Sequence, residues 1–181
     1  YKVVLTYKSV SDSTMITLQD DPRLGNRNEI KKAQYALRTE LRKSGDQLVE
    51  AIEVLTDADD DCKQIEAFIK NMKGAEIDSL KKTTTTIQDE IKKINEFING
   101  KKQTKQGYGQ VPTVTVMTEY YQASMYIASK SIAPGAEEKK LVERASTIIA
   151  EAIKKVDDFK NGLWKSYRDQ VNATKMDPFG K

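Results

Sequence analysis

Residues 30–72 read IKKAQYALRTELRKSGDQLVEAIEVLTDADDDCKQIEAFIKNM. Apolar or small residues recur at Ile30, Ala33, Leu37, Leu41, Ser44, Leu48, Ile52, Leu55, Ala58, Cys62, Ile65, Ile69 and Met72, in steps of three and four. That spacing lays them along one stripe of an α-helix, with charged residues on the remaining faces. At ~1.5 Å per residue the helix is on the order of 65 Å long. Gly45 in its middle costs about 1 kcal/mol relative to alanine and marks a bend.

The same period continues on both sides of short breaks. NMKGAE around Gly74 stops and restarts the helix. A second stripe then runs through Ile77, Leu80, Thr84, Ile87, Ile91, Ile94 and Ile98, passing through the poor helix formers TTTT at 83–86. A polar, glycine-containing loop follows at 99–112. A third helix is expected from about Thr113 to Ser131, with Val116, Tyr120, Ala123, Ile127 and Ser131 near one stripe. APG at 133–135 breaks it. A fourth spans about Ala136 to Asn172, with Leu141, Ala145, Ile148, Ala152, Val156 or Ile153, Phe159, Leu163, Tyr167 and Val171 facing inward.

Before the helices the period is different. KVVLTY at 2–7 and TMITLQ at 14–19 read as two strands of a hairpin, with KSVSDS as the turn. Pro22 and Gly25 end the sheet, and Asn26 or Asn28 is placed to cap the first helix. The expected architecture is mostly α: an elongated antiparallel four-helix bundle, long-short-short-long, with an N-terminal β-hairpin. Residues 1–25 form the hairpin and 26–181 the bundle. Short loops place consecutive helices antiparallel. Helix one then runs up, helix two halfway down, helix three back up and helix four the full way down. Helices one and four leave the four-helix section as a two-helix stalk beside the hairpin. The 99–112 loop sits at mid-height, and Phe159, Trp164 and Tyr167 fall where helices two and three are absent.

Composition narrows the chemistry. The 181 residues are 31% charged, with a net charge of +3 and both signs interspersed. No basic stripe longer than a lysine pair exists, so nucleic acid is not the expected partner. No apolar run is long enough to span a membrane. The chain holds no histidine and one cysteine. Imidazole acid/base catalysis, histidine-activated nucleophiles and the common zinc sites are therefore excluded. No cofactor or metal is expected.

The remaining motifs read as structural. DADDDCKQIEAF at 57–68 has acids at the first, third and fifth positions of a calcium loop. Cys62 replaces the required glycine, however, and Phe68 the required glutamate. Ser79 and Lys82 fit S-x-x-K, without the partner motifs of serine acyl enzymes. Gly107-Tyr108-Gly109 is too short for a nucleotide fingerprint. Cys62 lies on the stripe and reads as a small core residue. Asn172-Ala173-Thr174 is a glycosylation sequon. No pair of carboxylates can be nominated for glycoside hydrolysis. Tyr120, Tyr121 and Tyr126, with Tyr35, Trp164, Tyr167 and Phe179, form a set of aromatics at mostly core spacing. Tyr120 and Tyr121 cannot both face inward. Tyr108, Tyr121 and Trp164 are the candidate contacts for a ligand or partner.

The opening stretch YKVVLTY…TMITLQDDPRLG resembles the C-terminal region of large secreted bacterial β-propeller proteins with BNR or sortilin-like repeats. Many of these, especially in Bacteroidetes, are labelled glycosyl hydrolases. Tyr1, Val3 and Leu5 match the last strand of an immunoglobulin-like segment, and Asp21-Pro22-Arg23 its exit into a helical region. The resemblance implies that the hairpin is the remnant of a β-sandwich and that the chain is a piece of a longer protein. It also implies a secreted, periplasmic or cell-surface location. Nothing catalytic carries over. The expected function is a non-catalytic accessory module that contacts another protein or the rest of its own chain. The alternatives are a fragment of a glycoside-processing hydrolase that touches carbohydrate, and a free-standing coiled-coil adaptor.

Overall fold

A computed structural model describes residues 1–19, 21–101 and 113–176. Its elements are β1 (Lys2–Tyr7), β2 (Val10–Met15), α1 (Asn28–Ile69), α2 (Ala75–Asn99), α3 (Val116–Ser129), α4 (Ala136–Phe159) and α5 (Lys165–Ala173). A five-residue π-helical segment, Lys160–Trp164, joins α4 to α5 without interruption. The last rod thus runs over 136–173. The protein is mostly α, a helical bundle with long, short, short and long helices and an N-terminal antiparallel hairpin, as the sequence periodicity predicts.

The helix stripes are the core. All seven α2 positions at three-and-four spacing, Ile77 through Ile98, are buried. Along α1 the buried positions include Leu37, Leu41, Leu48, Leu55, Ala58, Cys62 and Ile69. The threonine run stays helical because the buried stripe passes through it at Leu80, Thr84 and Ile87; Thr83, Thr84, Thr85 and Thr86 each donate to the carbonyl four residues earlier, at 2.9–3.1 Å, which satisfies their hydroxyls within the helix. Gly45 is explained by packing. A Cβ there would lie 2.8 Å from the Tyr120 ring, so the missing side chain lets α3 close on the α1 backbone.

The path of the chain corrects the expected one. Near its start α3 lies beside Gly45 of α1. Near its end, Gln34 donates to the Lys130 carbonyl at 2.8 Å and Arg27 to the Ser131 carbonyl. Helix α3 therefore continues down α1 in the direction of α2 and does not turn back up. Gly100 and Thr115 meet at the junction: a Cβ on Gly100 would stand 3.2 Å from Thr115 Cγ2. The link between α2 and α3 is too long to impose the reversal that a short loop does. Helices α2 and α3 thus stack end to end as one interrupted rod. The last rod starts at the foot of the bundle, where Lys130 pairs with Glu138, and runs parallel to α1. Ser44 bonds Ser146 at 3.1 Å, and higher up Thr84 of α2 bonds Tyr167 at 2.9 Å. Phe159, Trp164 and Tyr167 are consequently covered by α1 and α2, at the end away from the hairpin, and the described residues form no two-helix stalk.

The π-segment corrects a second expectation. Inward positions on α4 step by three and four through Val142, Ala145, Ile149, Ala152, Val156 and Phe159. The next buried residue is Trp164, five further on, then Tyr167. Leu163, expected inward, is 47% exposed, and Trp164 is 9% exposed. One extra residue wound into the π-turn rotates Leu163 out and Trp164 in.

The hairpin also differs in detail. Its strands join through a two-residue turn at Lys8 and Ser9, with Tyr7 opposite Val10, so β2 begins four residues before the expected Thr14. Lys8 adopts φ 53°, a left-handed conformation usually signalled by glycine or asparagine, neither of which is present.

Candidate functional site

The exposed hairpin is the most unusual surface of the molecule. Every residue of β1 and β2 is exposed, and the two strands pair only with each other. The register sorts the side chains. Val3, Leu5 and Tyr7 lie opposite Thr14, Asp12 and Val10. Tyr1 and Ile16 extend the same row through reciprocal backbone bonds of 2.8 Å. Opposed residues share a face. Tyr1, Val3, Leu5, Tyr7, Val10 and Ile16 therefore line one side of the ribbon, uncovered, with the polar Thr14 and Asp12 among them. The other side carries Lys2, Val4, Thr6, Ser11, Ser13 and Met15. A lone two-stranded ribbon is marginal in water, and a one-sided apolar face is the signature of a sheet that packs on something.

The two edges are unequal. In an antiparallel pair, alternate residues turn their N–H and C=O outward. On β1 these are Lys2, Val4 and Thr6; on β2, Ser11, Ser13 and Met15. The Ser13 N–H is already taken by the Asp12 carboxylate at 2.8 Å. Among the described residues the β1 edge has no such acceptor. Past the hairpin, Asp21 accepts from the Arg23 N–H at 3.0 Å and binds its guanidinium at 2.7 Å. Those bonds hold the Asp21 carboxyl below its ordinary range. This closed turn delivers the chain to α1.

The three sequence-nominated contacts are not brought together. Tyr108 lies outside the described residues. Tyr121 is exposed and meets Tyr120 edge-on at 6.0 Å, at the level of Gly45. Tyr120 turns inward, so the expected division between these neighbours is what the structure has. Trp164 sits in the core, stacked on Phe159 at 6.2 Å and tilted against Tyr167 at 5.5 Å. It stands about 20 Å further along the bundle than Tyr121.

The ionisable groups inside the bundle are tied up. The Tyr167 hydroxyl bonds Thr84 at 2.9 Å and lies beside the Cys62 thiol. Burial pushes Cys62 up to about 11 and Tyr167 up to about 12, so both stay protonated at neutral pH. Two buried acids escaped the sequence reading. Glu119 holds Arg144 at 2.6 Å through Oε1, while its Oε2 has no hydrogen-bond partner among the described residues. Glu138 pairs with Lys130 and accepts the Gly135 N–H at 2.7 Å, which together keep its carboxyl below the ordinary range. Their signal in the sequence was position: each falls on the inward stripe near a helix start. Ser79 accepts from Gln170 at 3.4 Å. Among the described residues no cluster of metal-ligating side chains exists and no helix is long and apolar enough to cross a membrane. No family model, no curated protein and no solved structure matches the chain.

Proposed function

We propose that this chain is a non-catalytic accessory module of a larger secreted or cell-envelope protein, and that it makes its contact by adding the hairpin to another sheet. The observation that carries this is the uncovered ribbon, with six apolar side chains on one face and an open backbone edge on β1. Edge pairing supplies main-chain bonds, and the apolar face supplies the packing partner of a second layer. The protonated Cys62–Tyr167–Thr84 chain and the cation-bound acids support a structural interior. The location follows the resemblance of the opening stretch.

The test uses a labelled extended peptide of alternating valine and threonine. It is expected to bind the chain and to protect the Lys2, Val4 and Thr6 amides from hydrogen exchange. Val4→Pro removes an outward N–H without touching a bond inside the hairpin, and is expected to lose both effects. Binding that survives Val4→Pro, or that leaves those three amides unprotected, refutes edge pairing.

A further inference from the structure

Although the two signs are mixed over the chain as a whole, helix α1 segregates them into two opposite blocks on its outward face. Residues 31–43 hold Lys31, Lys32, Arg38, Arg42 and Lys43 against the single acid Glu40. Residues 46–61 hold Asp46, Glu50, Glu53, Asp57, Asp59, Asp60 and Asp61 and no base. Tyr35, Arg38, Arg42, Asp46, Val49, Glu53, Asp57 and Asp60 all fall on the side away from the buried stripe and are exposed. Within the acidic block Glu50–Glu53, Glu53–Asp57 and Asp57–Asp61 are like-charged neighbours one turn apart. Each such pair weakens the helix by about 0.2–0.5 kcal/mol. The local cations do little to offset this: Arg42 reaches Asp46 at 3.6 Å, and Lys63 serves Asp59 and Asp60.

We propose that this face binds a second copy of the chain, with the two α1 helices antiparallel about a twofold axis at the level of Gln47 and Leu48. The spacing carries the inference. Arg38 and Asp57 are equidistant from that level, as are Arg42 and Glu53, and Tyr35 and Asp60. Antiparallel alignment sets Arg38 and Arg42 of one copy against Asp57 and Glu53 of the other, twice over by symmetry, the self-complementarity that an isologous contact requires. Exposed Val49, 54% accessible, lies beside the axis in both copies. A strip from residue 31 to residue 64 is ~50 Å long and ~10 Å wide. It buries on the order of 1,000 Å² in total, the lower end for a specific interface. The dimer is accordingly weak and salt-sensitive, since at ~1 M salt charges are screened beyond ~3 Å. This contact is independent of the hairpin.

Sedimentation velocity on the full chain tests it. The wild type is expected to dimerise with rising concentration in ~10 mM salt and to be monomeric in ~1 M salt. R38E/R42E alone and E53R/D57R alone each set like charges opposite one another, and each is expected to weaken association ~100-fold. Mixed in equal amounts, the two variants restore all four pairs and are expected to dimerise with each other. All the altered side chains are exposed, and circular dichroism is run on each variant to check that it folds. A wild type that stays monomeric in low salt overturns the proposal, as does a variant that still self-associates or a mixture that stays monomeric.

Discussion

Deleting Gly162 should leave the bundle folded. A regular helix turns ~100° per residue. Five residues from Phe159 to Trp164 would carry the indole ~140° away from Phe159, out of the core. The π-segment absorbs that excess, because both residues are buried and their rings are 6.2 Å apart. With Gly162 removed, the step from Phe159 to the tryptophan becomes four, a turn of ~40° beyond one revolution, and the next step to Tyr167 remains three. The same side chains then face inward on a plain α-helix. A helix-interior glycine is lost as well, worth about 1 kcal/mol, so the variant should melt a few degrees above the wild type. The control is deletion of Ala150, in the regular part of α4. It rotates everything beyond it by ~100° and pulls Phe159, Trp164 and Tyr167 from the core. At ~3–5 kcal/mol for each large aromatic, that exceeds what a domain can lose. Thermal unfolding followed by circular dichroism reads stability. Fluorescence reads register directly, since Trp164 is the single tryptophan. The Gly162 deletion should keep a blue, buried emission. A red-shifted emission, or unfolding like that of the Ala150 control, would show that the π-segment is not a register device.

Gly45→Ala should destabilise despite alanine's better helix propensity, because the added Cβ would stand 2.8 Å from the Tyr120 ring. Overpacking costs ~1–3 kcal/mol against ~1 kcal/mol gained, and Gly45→Ala with Tyr120→Leu should recover the loss in urea titrations. Stability should fall as pH rises from about 9 toward 12. The unfolded Cys62 and Tyr167 release protons near their ordinary values of 9.0 and 10.0, whereas the folded groups hold theirs to about 11 and 12, so the unfolded state binds fewer protons across that window. Melting temperatures of Cys62→Ala/Tyr167→Phe should flatten there, and an unchanged slope would show that these groups do not control it. Glu138→Gln should lower the melting temperature at neutral pH and cancel part of the wild-type loss in acid. The Glu138 carboxyl titrates below its unfolded value of 4.5, so its contribution is complete above that pH and disappears as pH falls through the folded value.

Where the chain follows one simple rule, the sequence sufficed. Helix α2 repeats isoleucine and leucine at unbroken three-and-four steps, and its inward face is the one expected. The failures share a cause: each depends on a partner that periodicity does not see. Leu163, four residues after Phe159, satisfies the spacing that Trp164, five after, breaks, and only the π-turn with the indole packed on Phe159 brings Trp164 inward instead. Glu119 and Glu138 look like surface acids until Arg144 and Lys130 are brought alongside. Lys8 and Ser9 carry no turn signature, so the start of β2 was hidden. The direction of α3 was decided by Gln34 and Gly45 on α1 and by Arg27 just ahead of it, which its own sequence does not mention. Of the candidate site, the apolar strand was visible early; the uneven edges required the Asp12–Ser13 bond.

The parallel course of α1 and the last rod has a mechanical consequence. The backbone traverses the bundle an odd number of times, up, down in two pieces, and up again. Whatever is joined ahead of β1 and whatever is joined behind Ala173 are therefore delivered to opposite poles, roughly the ~60 Å length of the 42-residue α1 apart. An even number of passes would have returned both attachments to one end. Under tension between those attachments the load runs lengthwise through two helices that point the same way, with α2 and α3 bridging them in shear. Such a body has the form of a spacer: any parts attached at its two poles would stand a fixed distance apart.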